Sequence, residues 1–162
     1  MIDLRSDTVT RPTQAMKEAM MLADTGDDVY GEDPTVNELE QFAAQLTGKQ
    51  AAVFAASGTQ SNLMALLSHC QRGHEYIVGS TGHTYLYEGG GAAVLGGIPP
   101  NPIPFASDGT LPLSDVVAAI KPDDAHFAVT RLLCLENTQA GKVLSLDYLA
   151  QARVVSQAHG LG

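Results

Sequence analysis

Ala51-Ala52-Val53-Phe54-Ala55-Ala56-Ser57-Gly58-Thr59-Gln60-Ser61-Asn62-Leu63-Met64-Ala65-Leu66-Leu67 carries the signature of an α/β protein in one stretch. The short apolar run 51–56 reads as a buried strand, and Ser57-Gly58-Thr59 turns the chain. Leu63, Met64, Leu66 and Leu67 then supply the apolar face of a helix. The alternation continues downstream. Strands are expected at 75–78, 93–95, 103–105 and 132–136, and helices near 113–120 and 146–159. Strands alternating with helices predict an α/β fold around a mostly parallel, centrally buried sheet.

Upstream, Arg11-Pro12-Thr13 opens a helix whose apolar stripe is Ala15, Met16, Ala19, Met20 and Ala23. Asp33 is placed to cap a second helix, with Pro34 in its first turn and Gly48 at its end. The buried face of that helix is expected to hold Val36, Leu39, Ala43 and Leu46. The passage Gly96-Gly97-Ile98-Pro99-Pro100-Asn101-Pro102 is read as a local break, not a linker. After the last helix comes Gly160-Leu161-Gly162, where the alternation calls for another strand. The 162 residues are therefore expected to be a fragment of a larger domain.

Hydrophobic residues make up 44% of the chain and charged residues 17%, a balance that suits a packed protein. Nine Lys and Arg against eighteen Asp and Glu leave a net charge of −9. This argues against nucleic-acid and membrane partners and in favour of a small-molecule ligand. Cys70 and Cys134 belong to no CxxC or Cys/His pattern. They read as buried, reduced thiols of a cytoplasmic protein, and no metal site is expected. No secretion signal or membrane span is apparent.

Several residues could carry chemistry. Ser57-Gly58-Thr59 reads equally well as an ordinary helix cap and as a phosphate cradle, since a helix N-terminus offers free N–H groups and glycine admits close approach. His83, shortly after a strand, could stack on an aromatic ring or handle a proton near neutral pH, although a single histidine is more often structural. His126, in Asp123-Asp124-Ala125-His126-Phe127, has the same two readings. Glu136-Asn137 closes an apolar strand, where ligands of open α/β sheets gather and where an asparagine making a turn is equally common. For Ser6-Asp7-Thr8 the spacing favours a capping or turn cluster. Gly89-Gly90-Gly91 lacks dinucleotide-site spacing.

Taken in order, these pieces resemble the threonine aldolase family of pyridoxal-phosphate enzymes. The stretches that carry the likeness are Asp3-Leu4-Arg5-Ser6-Asp7-Thr8-Val9-Thr10-Arg11-Pro12 and Gly26-Asp27-Asp28-Val29-Tyr30-Gly31-Glu32-Asp33-Pro34-Thr35-Val36. After them come Ser57-Gly58-Thr59-Gln60-Ser61-Asn62, His83 with Glu88, and Glu136-Asn137-Thr138. The resemblance implies the aspartate-aminotransferase-like fold (fold type I), a three-layer αβα large domain. Residues 1–162 would be an N-terminal segment plus the first part of that domain, without its remainder or the small C-terminal domain. It also implies a homo-oligomer, a dimer of dimers.

On this resemblance Gly58 and Thr59 cradle the phosphate of pyridoxal 5'-phosphate, His83 stacks on its ring, and Asn137 contacts the cofactor. His83 and His126 face the substrate hydroxyl, and Ser6 contacts the substrate carboxylate. Tyr87 stands where close relatives are expected to have phenylalanine, near the substrate side chain. The implied reaction cleaves threonine or allo-threonine into glycine and acetaldehyde, a step of threonine breakdown and glycine formation. The family's cofactor lysine, its ring-pairing aspartate and its carboxylate-binding arginine are expected beyond Gly162. Lys17, Lys49, Lys121 and Lys142 do not occupy a Ser-Lys-Gly setting. Residues 1–162 alone are thus expected to be inactive and poorly soluble. Two alternatives are a related lyase that eliminates at the β-carbon and a non-catalytic phosphate-binding module.

Overall fold

The computed structural model describes residues 2–162 and divides into two compact units, 1–54 and 55–162. In the first unit, Ser6 caps a 3-10 turn at Asp7–Val9 by accepting the Thr8 N–H at 3.2 Å. Helix α1 spans Gln14–Leu22, with Thr13 as its cap in place of the expected Pro12 start. Helix α2 spans Pro34–Thr47, and Gly48 ends it in the left-handed region at φ 64°. Asp33 accepts from Val36 N–H at its cap and from Gly26 N–H across the intervening loop, both at 3.0 Å. These backbone bonds hold the Asp33 carboxyl below the usual carboxylate range. Thr35 Oγ1 donates to the Asp24 carbonyl at 2.6 Å, so the acidic loop is tied down by its own polar groups.

The apolar faces expected for α1 and α2 are not covered. Met16, Met20, Leu39 and Leu46 are all exposed, and Ala44 is the sole buried position of α2. Both helices are closed by caps and internal hydrogen bonds, while the packing that normally stabilises an amphipathic helix is missing.

The second unit holds a parallel sheet in the order β2-β1-β3, formed by β1 (His74–Gly79), β2 (Pro100–Ile103) and β3 (Val129–Cys134). Strand β1 is paired on both sides and buried on both faces. Its Tyr76 and Val78 pack with Leu66, Cys70, Ala92, Ile98 and Leu132 on one face. Its Ile77 packs with Leu111, Val116, Leu133, Ala152 and Leu161 on the other. Helices α3 (Gly58–His69) and α5 (Gly91–Gly96) cover the first face. Helices α6 (Leu113–Ala119) and α7 (Leu146–Ala158) cover the second. The result is the expected three-layer αβα arrangement. Beyond α7, Gly162 donates to the Arg131 carbonyl and accepts from Leu133 N–H, which extends the pairing to the free side of β3.

Three strand expectations need correction. Residues 51–56 form no strand. With no ladder beside them, Phe54 N–H donates to Glu40 Oε1 at 2.7 Å and Ala56 N–H to Gln60 Oε1 at 3.0 Å. Residues 93–95 lie within α5, because Gly90 and Gly97, both left-handed, cap a single helical stretch; short apolar runs do not distinguish the two states. The strand expected at 103–105 falls instead on Pro100–Ile103. The Pro99 carbonyl accepts from Tyr76 N–H of β1 and the Ile103 carbonyl from Ser80 N–H just past its end, so residues 100 and 102 face away from it. A missing proline N–H costs little on that outer side.

Glu75, 1% exposed, knits the N-terminal edge of the sheet together. It accepts from Thr130 Oγ1 of β3 at 2.8 Å, from Asn101 Nδ2 of β2 at 3.0 Å, and from Lys121 Nζ. Asn101 also donates to the Ala119 carbonyl at the end of α6. Replacing Glu75 by alanine would leave these donors without their shared acceptor. We expect Glu75→Ala to lower stability by about 3 kcal/mol, read as a shift of the urea midpoint; an unchanged midpoint would contradict this role for the network.

Candidate active site

Parallel strands end at a common edge, and here that edge opens into a cleft of about 250 Å³. After Gly79 the chain passes through Ser80-Thr81-Gly82 into the short helix α4, His83–Leu86. Helix α3 runs back toward the start of β1, so its N-terminus also lies at this edge. Its first N–H groups have no partner within the helix. Ser57 caps it by accepting the Gln60 N–H at 3.2 Å, and a Cβ built on Gly58 meets no atom within 4 Å. Donor N–H groups, a helix dipole and open space at Gly58 together fit a phosphate group.

His83 is anchored twice. Its backbone N–H donates to Glu136 Oε2 at 2.7 Å, which supplies the cap that Gly82 lacks. Its Nδ1 lies 2.7 Å from Glu88 Oε1, and the same oxygen accepts from Asn62 Nδ2 at 2.6 Å. The imidazole is half exposed, while the Glu88 side chain is 4% exposed. The core holds this helix as well, since the Tyr76 hydroxyl donates to the Thr84 carbonyl at 3.2 Å. Burial pushes that phenol up to about 12, so it stays a neutral donor.

The cleft brings together His83, Asn62, Glu136 and Asn137, with Phe105 on its apolar side. Asn137 lies on its lining, and its side-chain oxygen accepts from Leu144 N–H at 3.3 Å. Tyr87 ends α4 with its ring 5.6 Å from that of His83, tilted by 49° and largely exposed. Thr59 follows Gly58 in the exposed first turn of α3. Ser6 belongs to the first unit, where its hydroxyl caps the 3-10 turn. Cys134, expected in the core, instead lines the cleft half-buried; burial raises its thiol and keeps it protonated.

His126 stands elsewhere. It precedes β3 at the N-terminal edge, next to Asp124, whose Oδ1 accepts its N–H at 2.9 Å and lies 2.6 Å from its Nδ1. Its side chain is 87% exposed. Within one chain the length of β3 separates it from His83, so the pairing of the two imidazoles on one hydroxyl is not made in this unit. Glu88 and Asn62 are functional candidates to which the sequence assigned no role, whereas Glu136 stands with Asn137 at the strand end that it singled out. Asn62 had a usable signal, since it lies in the first turns of the helix that begins at Gly58.

A family model described as beta-eliminating lyase matches residues 3–162. The chain is 67% identical over 152 residues to the low specificity L-threonine aldolase of Escherichia coli K12, covering 94% of this chain and 46% of that protein. It is 45% identical over 166 residues to a probable low-specificity L-threonine aldolase of Arabidopsis thaliana, covering 99% of this chain and 47% of that protein. The chain therefore spans about half the length of these relatives. Among solved structures it superposes on a threonine aldolase of Leishmania major with a TM-score of 0.75 at 24% identity, over 91% of this chain and 43% of that one. That superposition supports the fold alone.

Gly79, at the mouth of the cleft, tests how tightly this edge is packed. A Cβ there would overlap the Phe105 ring, so Gly79→Ala must displace the ring. We expect a loss of about 1–3 kcal/mol in urea unfolding. The Gly79→Ala/Phe105→Ala double variant should lose clearly less than the sum of the single losses. Strict additivity would count against the contact.

Proposed function

The chain belongs to the beta-eliminating lyase family, and from that premise we propose that the polypeptide carrying it is a pyridoxal-phosphate-dependent aldolase. It cleaves 3-hydroxy-2-amino acids such as threonine and allo-threonine into glycine and an aldehyde. The observation that carries this reading is the doubly anchored imidazole of His83 at the ligand edge, in a chain 67% identical to a low specificity L-threonine aldolase.

Pyridoxal phosphate, when bound, supplies an electron sink for the pair released as the Cα–Cβ bond breaks. The rest falls to the protein. Gly58 and Thr59 at the start of α3 would hold the phosphate, and Asn137 would contact the cofactor from the β3 side. His83 would stack on the ring and take the proton of the substrate's β-hydroxyl at its free ring nitrogen, which allows collapse to the aldehyde. Tyr87, beside His83, faces the substrate side chain, where its hydroxyl adds a polar group to the side-chain pocket. Among the described residues His83 is the imidazole at the cleft, while His126 stands at the other edge of the sheet.

The reading includes a cytoplasmic homo-oligomer. The uncovered apolar faces of α1 and α2 support the association. Among the described residues no helix is long and apolar enough to cross a membrane.

The description of the family model favours one rival, elimination at the β-carbon to a 2-oxo acid and ammonia. Products separate the two. The natural polypeptide with cofactor and threonine should release glycine and acetaldehyde in equal amounts, and release of a 2-oxo acid instead would establish the rival. His83→Asn should slow cleavage by about a hundredfold or more. Gly58→Val should weaken cofactor binding in a fluorescence titration while the folded chain keeps its shape by circular dichroism, since the added side chain enters open space. Unchanged affinity would remove the phosphate from α3.

A further inference from the structure

The Glu88 carboxylate is nearly sealed from solvent, and burying such a group is costly unless its lone pairs are used. Among the described residues its partners are Asn62 Nδ2 and His83 Nδ1, both on Oε1. No lysine or arginine neutralises it, in contrast to Glu75 with its Lys121 partner. The Glu88 carboxylate oxygen faces the Asn62 amide of α3 and the Nδ1 of His83. Gly89 and Gly90, both at positive φ, turn the chain directly after it.

We propose that Glu88, itself held by Asn62, is the positioning residue of His83, an inference that rests on the aldolase reading of the cleft. An ionised carboxylate only accepts hydrogen bonds, so the ring hydrogen sits on Nδ1 and the lone pair of the neutral imidazole is left on Nε2. Nε2 has no hydrogen bond among the described residues, and the half-exposed ring lets it reach the cleft. It is the nitrogen able to take a proton from a substrate hydroxyl. The division of labour is complete within a few ångströms. Glu136 fixes the backbone of His83, Glu88 fixes its ring torsion and tautomer, and Asn62 fixes Glu88. Asn62 stands one helical turn from Gly58, so a single helix sets both the phosphate position and the orientation of the base.

The tautomer can be read directly. In the natural polypeptide labelled with 15N-histidine, at a pH of about 8.5 where an ordinary imidazole is neutral, the two ring nitrogens of His83 have distinct shifts, assigned by their loss in His83→Asn. The wild type should show the Nδ1–H form. Glu88→Ala should shift it to Nε2–H and lower kcat with a smaller change in KM. Glu88→Gln, whose amide oxygen can accept both bonds that Oε1 accepts, should retain the Nδ1–H form and recover part of kcat. An Nε2–H wild type, or an Nδ1–H tautomer kept by folded Glu88→Ala, would overturn the proposal. If Glu88→Ala does not fold, the wild-type spectrum still decides. The tautomer needs neither substrate nor cofactor, so its failure is distinct from an unexpected product, which bears on the aldolase reading.

Discussion

Strand β1 has a hydrogen-bonded neighbour on each side and a layer of helices on each face, and the geometry of the whole second unit depends on that enclosure. Its backbone groups are deep in the core and must be paired, which forces β2 and β3 into register with it. Because the three strands are parallel, their C-terminal ends open at one edge. There the chain is free to turn, so that edge receives the start of α3, the helix bearing His83 and the Glu136-Asn137 segment.

The two edges of the sheet each centre on a buried carboxylate, with different consequences. At the N-terminal edge, Glu75 is satisfied by a lysine, a threonine hydroxyl and an asparagine amide. Those bonds link all three strands to the end of α6, and the cluster has no access to the cleft. At the other edge, Glu88 is satisfied by an amide and an imidazole. An imidazole exchanges protons near neutral pH, and this one keeps a nitrogen free. The first arrangement is an anchor, and the second, on the aldolase reading, would hold a base. The chemistry of the partner decides the difference. In both pairs the carboxylate is sealed and its partner partly exposed. An ammonium group only donates, whereas a neutral imidazole also has a lone pair.

The first unit shows the opposite balance. Its caps and loop bonds are numerous and local, yet α1 and α2 bury almost no apolar side chain. Local hydrogen bonds specify where these helices begin and end, but burial of an apolar face is what stabilises them.

Much of this was legible in the sequence because it is written in local rules. The helices at 34–47 and 58–69 followed from caps and apolar period and those at 113–119 and 146–158 from the alternation of elements, as did the position of His83 shortly after a strand and of Glu136-Asn137 at a strand end. Residues 51–56 and 93–95 were misread, since an apolar run becomes a strand only if a neighbouring strand meets it, and that is a long-range fact. The sequence likewise placed His83 and His126 in one reaction, yet β3 runs between them in the folded unit. Local pattern by itself determined the helices, the α/β alternation and the polar strand end at Glu136-Asn137. Tertiary structure alone decided that residues 62, 83, 88 and 136 converge, because distances between side chains far apart in the chain are set by the packing of the sheet and its helices.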